Sequence, residues 1–128
     1  MKYIIAGGRD FNNYNLVCAV CNTIPKALMY GVSSDIVLDE IVCGDAHGAD
    51  MLGARYGEEH NIPVKHFPAN WDEYGKSAGF IRNAEMADYA DAAICFWDGK
   101  SKGTAHMIKT MKMKKKPCYV FNYRGEPI

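Results

Sequence analysis

The sequence predicts a three-layer α/β/α domain on a five-stranded, mainly parallel sheet ordered 3-2-1-4-5. Two observations carry this expectation. Short apolar runs alternate with segments of helical spacing, the pattern of strands joined by right-handed helical crossovers. The runs are rich in β-branched and aromatic residues with little polar alternation, which suits strands buried on both faces. A chain of 128 residues is long enough for a real core, and one domain spanning 1–128 is expected.

The elements follow in order. KYIIA (2–6) reads as the first strand. Val17, Val20, Ile24 and Leu28 keep helical spacing, and Pro25 is expected to break or kink that helix. YGVSSD (30–35) reads as a loop. EIVC (40–43) is the second strand, followed by a helical stripe of Ala49, Leu52 and Tyr56. PVKHF (63–67) is the third strand. Residues 68–79 read as a long polar loop carrying Trp71 and Tyr74, and loops of that length are usually functional. Ile81, Ala84 and Ala87 or Asp88 mark a third helix, with Arg82 and Asn83 in its first turn. DAAICFW (91–97) is the fourth strand, Ala105, Ile108 and Met111 or Lys112 a fourth helix, and PCYVF (117–121) the fifth strand. The basic KMKKKP (112–117) complements the dipole of a helix C-terminus.

Composition excludes several classes. Apolar residues make up 48% and charged residues 23%, which is globular rather than disordered. Fifteen basic side chains balance fifteen acidic ones, so nucleic acid is not an expected partner. No apolar run approaches the ~20 residues of a membrane span. The opening MKYIIAGGRD holds no long apolar signal segment, and the odd set Cys18, Cys21, Cys43, Cys95 and Cys118 reads as reduced thiols. A soluble cytoplasmic protein is expected.

Ligands of such sheets bind beyond the carboxyl ends of the strands. The loops leaving those ends are GGRDF (7–11), GDAHGAD (44–50), the 68–83 segment and DGKSKGT (98–104). All carry glycine, and three lead into helix N-termini, whose free N–H groups suit a phosphate. Standard nucleotide motifs fail. GGRDFNNY offers only Gly7 and Gly8 of a G-x-G-x-x-G fingerprint. A P-loop needs a further glycine five residues before Gly-Lys-Ser, where Gly99-Lys100-Ser101 has Ile94 and Gly75-Lys76-Ser77 has Asn70.

GGRDF, CGDAHGAD, FPANWDEYGKSAGFIRNAEM and ADAAICFWDGKSKGTAHMI together resemble the SLOG superfamily, above all its small stand-alone bacterial and phage members. Its relatives include the LOG nucleosidases, DNA-processing protein A, and sensor domains for ADP-ribose-derived signals. The resemblance implies a Rossmann-like fold, a nucleotide-derived ligand at these loops, and a homo-oligomer, a dimer or higher. No cofactor is implied. LOG enzymes carry a catalytic arginine on the helix corresponding to that of Arg82, and Glu85, one turn on in this chain, is expected to hold Arg82 in place. They also place a carboxylate after a Gly-x-Gly-Thr turn. Here Gly103-Thr104 is followed by Ala105-His106-Met107, and Asp98-Gly99-Lys100 replaces the expected Pro-Gly-Gly. The missing acid favours binding without turnover, as sensor or sink, over an N-glycosidase, although Asp98 or Asp45 would be a substitute.

The candidate ligand-binding residues are Gly7, Gly8, Arg9 and Asp10 after the first strand, and Gly44, Asp45, His47, Gly48 and Asp50 after the second. Trp71, Arg82, Asn83 and Glu85 follow the third, and Asp98, Lys102, Gly103 and Thr104 the fourth. Arg9 and Arg82 offer guanidinium groups for phosphate, and Trp71 a ring for stacking on a base. Cys43, Asp45, His47 and Asp50 carry ligand-type atoms, but their spacing fits no zinc signature, and no metal is expected. His60 and His66 read as ordinary loop and strand residues, and Cys18 and Cys21 as helix residues in the core or half-buried.

Overall fold

The computed structural model describes residues 1–29 and 38–128, with only the backbone described over 24–29. The expected loop at 30–35 lies outside the described residues. Strands β1 (Lys2–Gly7), β2 (Glu40–Cys43), β3 (Val64–His66), β4 (Ala92–Phe96) and β5 (Cys118–Phe121) form one sheet in the order β3-β2-β1-β4-β5. Every pairing between neighbouring strands is parallel.

Strand periodicity divides the core between the two faces of the sheet. Tyr3 and Ile5 of β1, with Ile94 and Phe96 of β4, pack with Val17 and Val20 of α1 (Tyr14–Met29) and Ala49 and Tyr56 of α2 (Ala49–Glu59). Ile4, Ala6, Ala93 and Cys95 face the other way. They meet Met86 and Ala87 of the helix at Ala78–Tyr89 and Met107, Ile108 and Met111 of the one at Lys102–Met113. Helices therefore cover both faces. Full burial holds for β4 and for the centre of β1, but the edge strands differ from expectation. Lys65 and His66 of β3 are exposed, and β5 is only partly buried, because each lies at an edge of the five-stranded sheet. The C-terminal residues turn back along β5, with Ile128 N–H donating to the Val120 carbonyl at 3.0 Å.

Two sequence expectations change. Helix α1 runs on through Pro25 without the break that was one of the two outcomes expected there. The segment 68–79 is mostly helical rather than a loop: α3 (Trp71–Tyr74), a 3₁₀ turn (Gly75–Ser77) and α4 (Ala78–Tyr89) follow without a gap. Asn70 starts this run with a reciprocal cap, accepting from Glu73 N–H and donating from its own amide to the Glu73 carboxylate, both at 3.1 Å. Arg82 and Asn83 consequently lie in the second turn of α4, not at a helix start. The buried face of α4 is Ala78, Asn83, Met86 and Ala87, one step round from the expected Ile81–Ala84 stripe.

The basic run serves two helices. Lys112 lies in the last turn of α5 (Lys102–Met113), whereas Lys116 Nζ donates to the carbonyls of Ala87, Asp88 and Ala90 at the C-terminus of α4.

Candidate functional site

A two-lobed cleft opens at the carboxyl edge of the sheet. The first lobe, about 330 Å³, is bounded by Gly7, Asp50, Asn83 and the 101–104 turn. The second, about 470 Å³, lies against Gly44, Asp45, Ala46, His47 and Pro68. Arg9, Ala46, Trp71 and Arg82 line both lobes and form their shared wall.

The turn after β2 is held from within. Asp50, in the first turn of α2, is 5% exposed. Burial raises its carboxyl to about 7, against the opposing pull of the Arg82 guanidinium and of the Ala46 and Gly44 N–H groups. Gly44 lies between the two charged side chains. A β-carbon there would stand 2.7 Å from Asp50 Oδ2 and 2.9 Å from Arg82 Nη1. Gly48 caps α2 at φ 84°, ψ −129°, a conformation that favours glycine, and a β-carbon there would lie 2.2 Å from the Gly8 carbonyl oxygen. That carbonyl also accepts from Ala49 N–H at 3.4 Å and from Phe11 N–H at 3.2 Å. These donors, expected to face a phosphate, are thus satisfied by the chain itself, and the glycines serve close packing.

The N-terminus of α5 is different. Asp98 accepts from Lys100 and Ser101 N–H at 2.8 Å, and Ser101 caps Thr104 N–H at 3.5 Å. Among the described residues no acceptor takes the N–H of Lys102 or Gly103, and both residues line the first lobe. Nothing lies within 4 Å of where a Gly103 β-carbon would be. Buried Asn83 ties α4 to this turn, donating to the Gly103 carbonyl at 3.1 Å and accepting from Arg82 Nε at 3.1 Å. Arg82 also donates from Nη1 to the Gly44 carbonyl, so Glu85, exposed on α4, is not what holds it.

The structure gathers Gly7, Arg9, Gly44, Asp45, His47, Asp50, Trp71, Arg82, Asn83, Lys102, Gly103 and Thr104 around the cleft. Gly8, Asp10, Gly48, Glu85 and Asp98 do not line it. Asp10 accepts from the Tyr123 hydroxyl at 2.6 Å and leaves Arg9 exposed; among the described residues no carboxylate pairs with that guanidinium. Sequence reasoning passed over Lys76, Gly79, Phe80 and Ser101, which line the first lobe. The Asn70–Glu73 capping pair was the available signal, since it starts the helical run that carries Lys76 and Phe80 to the rim.

A parallel sheet of this order with helices on both faces defines the Rossmann-like class. Residues 1–74 match the model of the YspA, cpYpsA-related SLOG family, and the chain belongs to that family. It is 33% identical over 93 residues to the Gene 61 protein of Mycobacterium phage D29, covering 68% of this chain and 73% of that one. The structure superimposes on DNA processing protein A from Streptococcus pneumoniae with a TM-score of 0.64 at 14% identity. That match takes in 94% of this chain and 49% of the other, about half its length, and is a likeness of fold. Among the described residues, no helix is long and apolar enough to cross a membrane.

Asp50 gives the fold a pH signature. With its carboxyl raised from 3.8 to about 7, the native state keeps a proton that the unfolded chain loses between those values. Its contribution to stability is full below about pH 4, falls as pH rises, and levels off above about pH 7, an effect on the order of 4 kcal/mol at most. Urea unfolding of wild type and Asp50→Asn across this range should show the decline in wild type and its loss in the variant. A difference between them that does not vary with pH would remove the buried acid from the account.

Proposed function

We propose that the cleft binds an anionic, nucleotide-derived small molecule, ADP-ribose-like ligands included, without turning it over, as a sensor or as a sink for a nucleotide signal. The observation that carries this reading is the exposed Arg9 guanidinium on the wall shared by both lobes, without a carboxylate partner among the described residues. The N–H groups of Lys102 and Gly103, without acceptors among the described residues, and the Arg82 charge support an anion in the same space. Trp71, 52% exposed, offers a face for a base. Two charge-assisted contacts and one stacked base give ~4–9 kcal/mol gross, before the costs of association and ordering.

A second reading, an N-glycosidase of the phosphoribohydrolase type, has one observation in its favour. Asp50 lines the first lobe with a carboxyl near neutrality, as a general acid would need. Binding is preferred because the Gly44 and Ala46 N–H groups already engage that carboxyl. Of the two acids expected as substitutes, Asp98 stays outside the cleft and Asp45 lines the second lobe.

Arg9 gives the cleaner test, since Arg82 also supports the Gly44 turn. Calorimetry with adenosine monophosphate, ADP-ribose, cyclic ADP-ribose isomers and cyclic dinucleotides should find a ligand that Arg9→Ala binds about ten- to a hundredfold more weakly. The thermal midpoint of the free protein should stay within the range of ordinary surface substitutions. Chromatography of the same mixtures should recover intact ligand, and release of free base would favour the glycosidase. Absence of binding across the panel, or affinity indifferent to Arg9, contradicts the proposal.

The chain is also proposed to form a homodimer or higher oligomer through the exposed rings of Tyr74 and Phe80 on α3 and α4. Light scattering at micromolar concentration should give at least twice the chain mass, falling towards the monomer in Tyr74→Ser/Phe80→Ser. A monomeric wild type overturns this.

A further inference from the structure

Cys43 and His66 are direct partners in the register of β2 and β3. They leave the same edge of the sheet on one side, at a spacing set by the strand ladder. Asp45 follows two residues after Cys43 at φ 61°, a left-handed conformation that aspartate tolerates better than most residues. Its Oδ1 stands 3.3 Å from Cys43 Sγ and 2.6 Å from His66 Nδ1. All three ligand-type atoms lie within 4.8 Å of one another.

We propose that Cys43 Sγ, Asp45 Oδ1 and His66 Nδ1 form a binding site for a divalent transition-metal ion of the zinc class. The donor set of sulfur, oxygen and nitrogen suits zinc and disfavours magnesium or calcium, which take oxygen. Around a four-coordinate ion with bonds of about 2.0–2.3 Å, ligand atoms sit roughly 3.3–3.8 Å apart. The Cys43–Asp45 spacing is already there, and the half-exposed His66 ring has room to move outward. Binding replaces the Cys43 S–H proton with the metal and releases that proton to solvent. Three protein ligands leave a fourth position for water. Asp45 also lines the second lobe, so the ion adjoins the cleft. The local spacing after β2 gave no zinc signature because the third ligand lies 21 positions further on, in the next strand.

The test uses the reduced, metal-stripped full chain and cobalt(II) alone, so it stands apart from nucleotide binding. Wild type should develop a thiolate-to-cobalt charge-transfer band with visible bands of a four-coordinate site, saturating at one ion per chain, with zinc displacing the cobalt. His66→Ala, a change at an exposed edge position, should stay folded by circular dichroism and weaken cobalt binding at least about tenfold. Cys43→Ser should abolish the charge-transfer band. No band in wild type, a band undiminished in folded His66→Ala, or one that survives Cys43→Ser overturns the proposal.

Discussion

The cleft depends on two charged side chains that approach the backbone of Gly44 from different helices. Asp50 comes from α2 and Arg82 from α4, and neither leaves room for a β-carbon between them. Asp50 draws the N–H groups of Gly44 and Ala46 towards itself, while Arg82 takes the Gly44 carbonyl. One peptide turn is thereby fixed from both faces of the sheet. A carboxyl this deeply buried is costly to ionise, and only the cation and the amide dipoles make the charge tolerable. The turn after β2 is therefore closed by its own internal carboxyl, and the unengaged guanidinium and N–H groups among the described residues lie instead at Arg9 and the start of α5.

Much of the fold was legible because it rests on strand periodicity. The alternation in KYIIA sends Tyr3 and Ile5 to one helical layer and Ile4 and Ala6 to the other, and the strand order followed. Legibility failed where a local rule was overridden or a cap overlooked. Pro25 lies inside α1 although proline removes a helical donor. The 68–79 segment looked polar and loop-like, yet Asn70 and Glu73 cap it into helix, which moves Arg82 from a first turn to a second. The role of Arg82 comes from tertiary partners that no spacing reveals.

The glycines teach a related lesson. Gly44 and Gly48 suggested a backbone cleared for a phosphate, and the structure uses them to clear space for Asp50, Arg82 and the Gly8 carbonyl. Gly103 alone of these three faces open space, beside N–H groups that find no acceptor among the described residues. Sequence could identify which loops meet at the sheet edge, since topology dictates that. It could not say which loop turns its donors inward, because that depends on a carboxylate from the following helix.

The central claim is that an anionic nucleotide-type ligand occupies both lobes across the Arg9–Arg82 wall. The most direct measurement is a ¹H–¹⁵N correlation spectrum of the labelled chain, titrated with adenosine monophosphate and ADP-ribose. The account predicts saturable shifts at the amides of Ala46, Lys102, Gly103 and Thr104 and at the Trp71 indole. ADP-ribose should extend them to His47 and the second lobe. Spectra unchanged by either molecule, or shifts confined to surfaces away from the cleft, would contradict it.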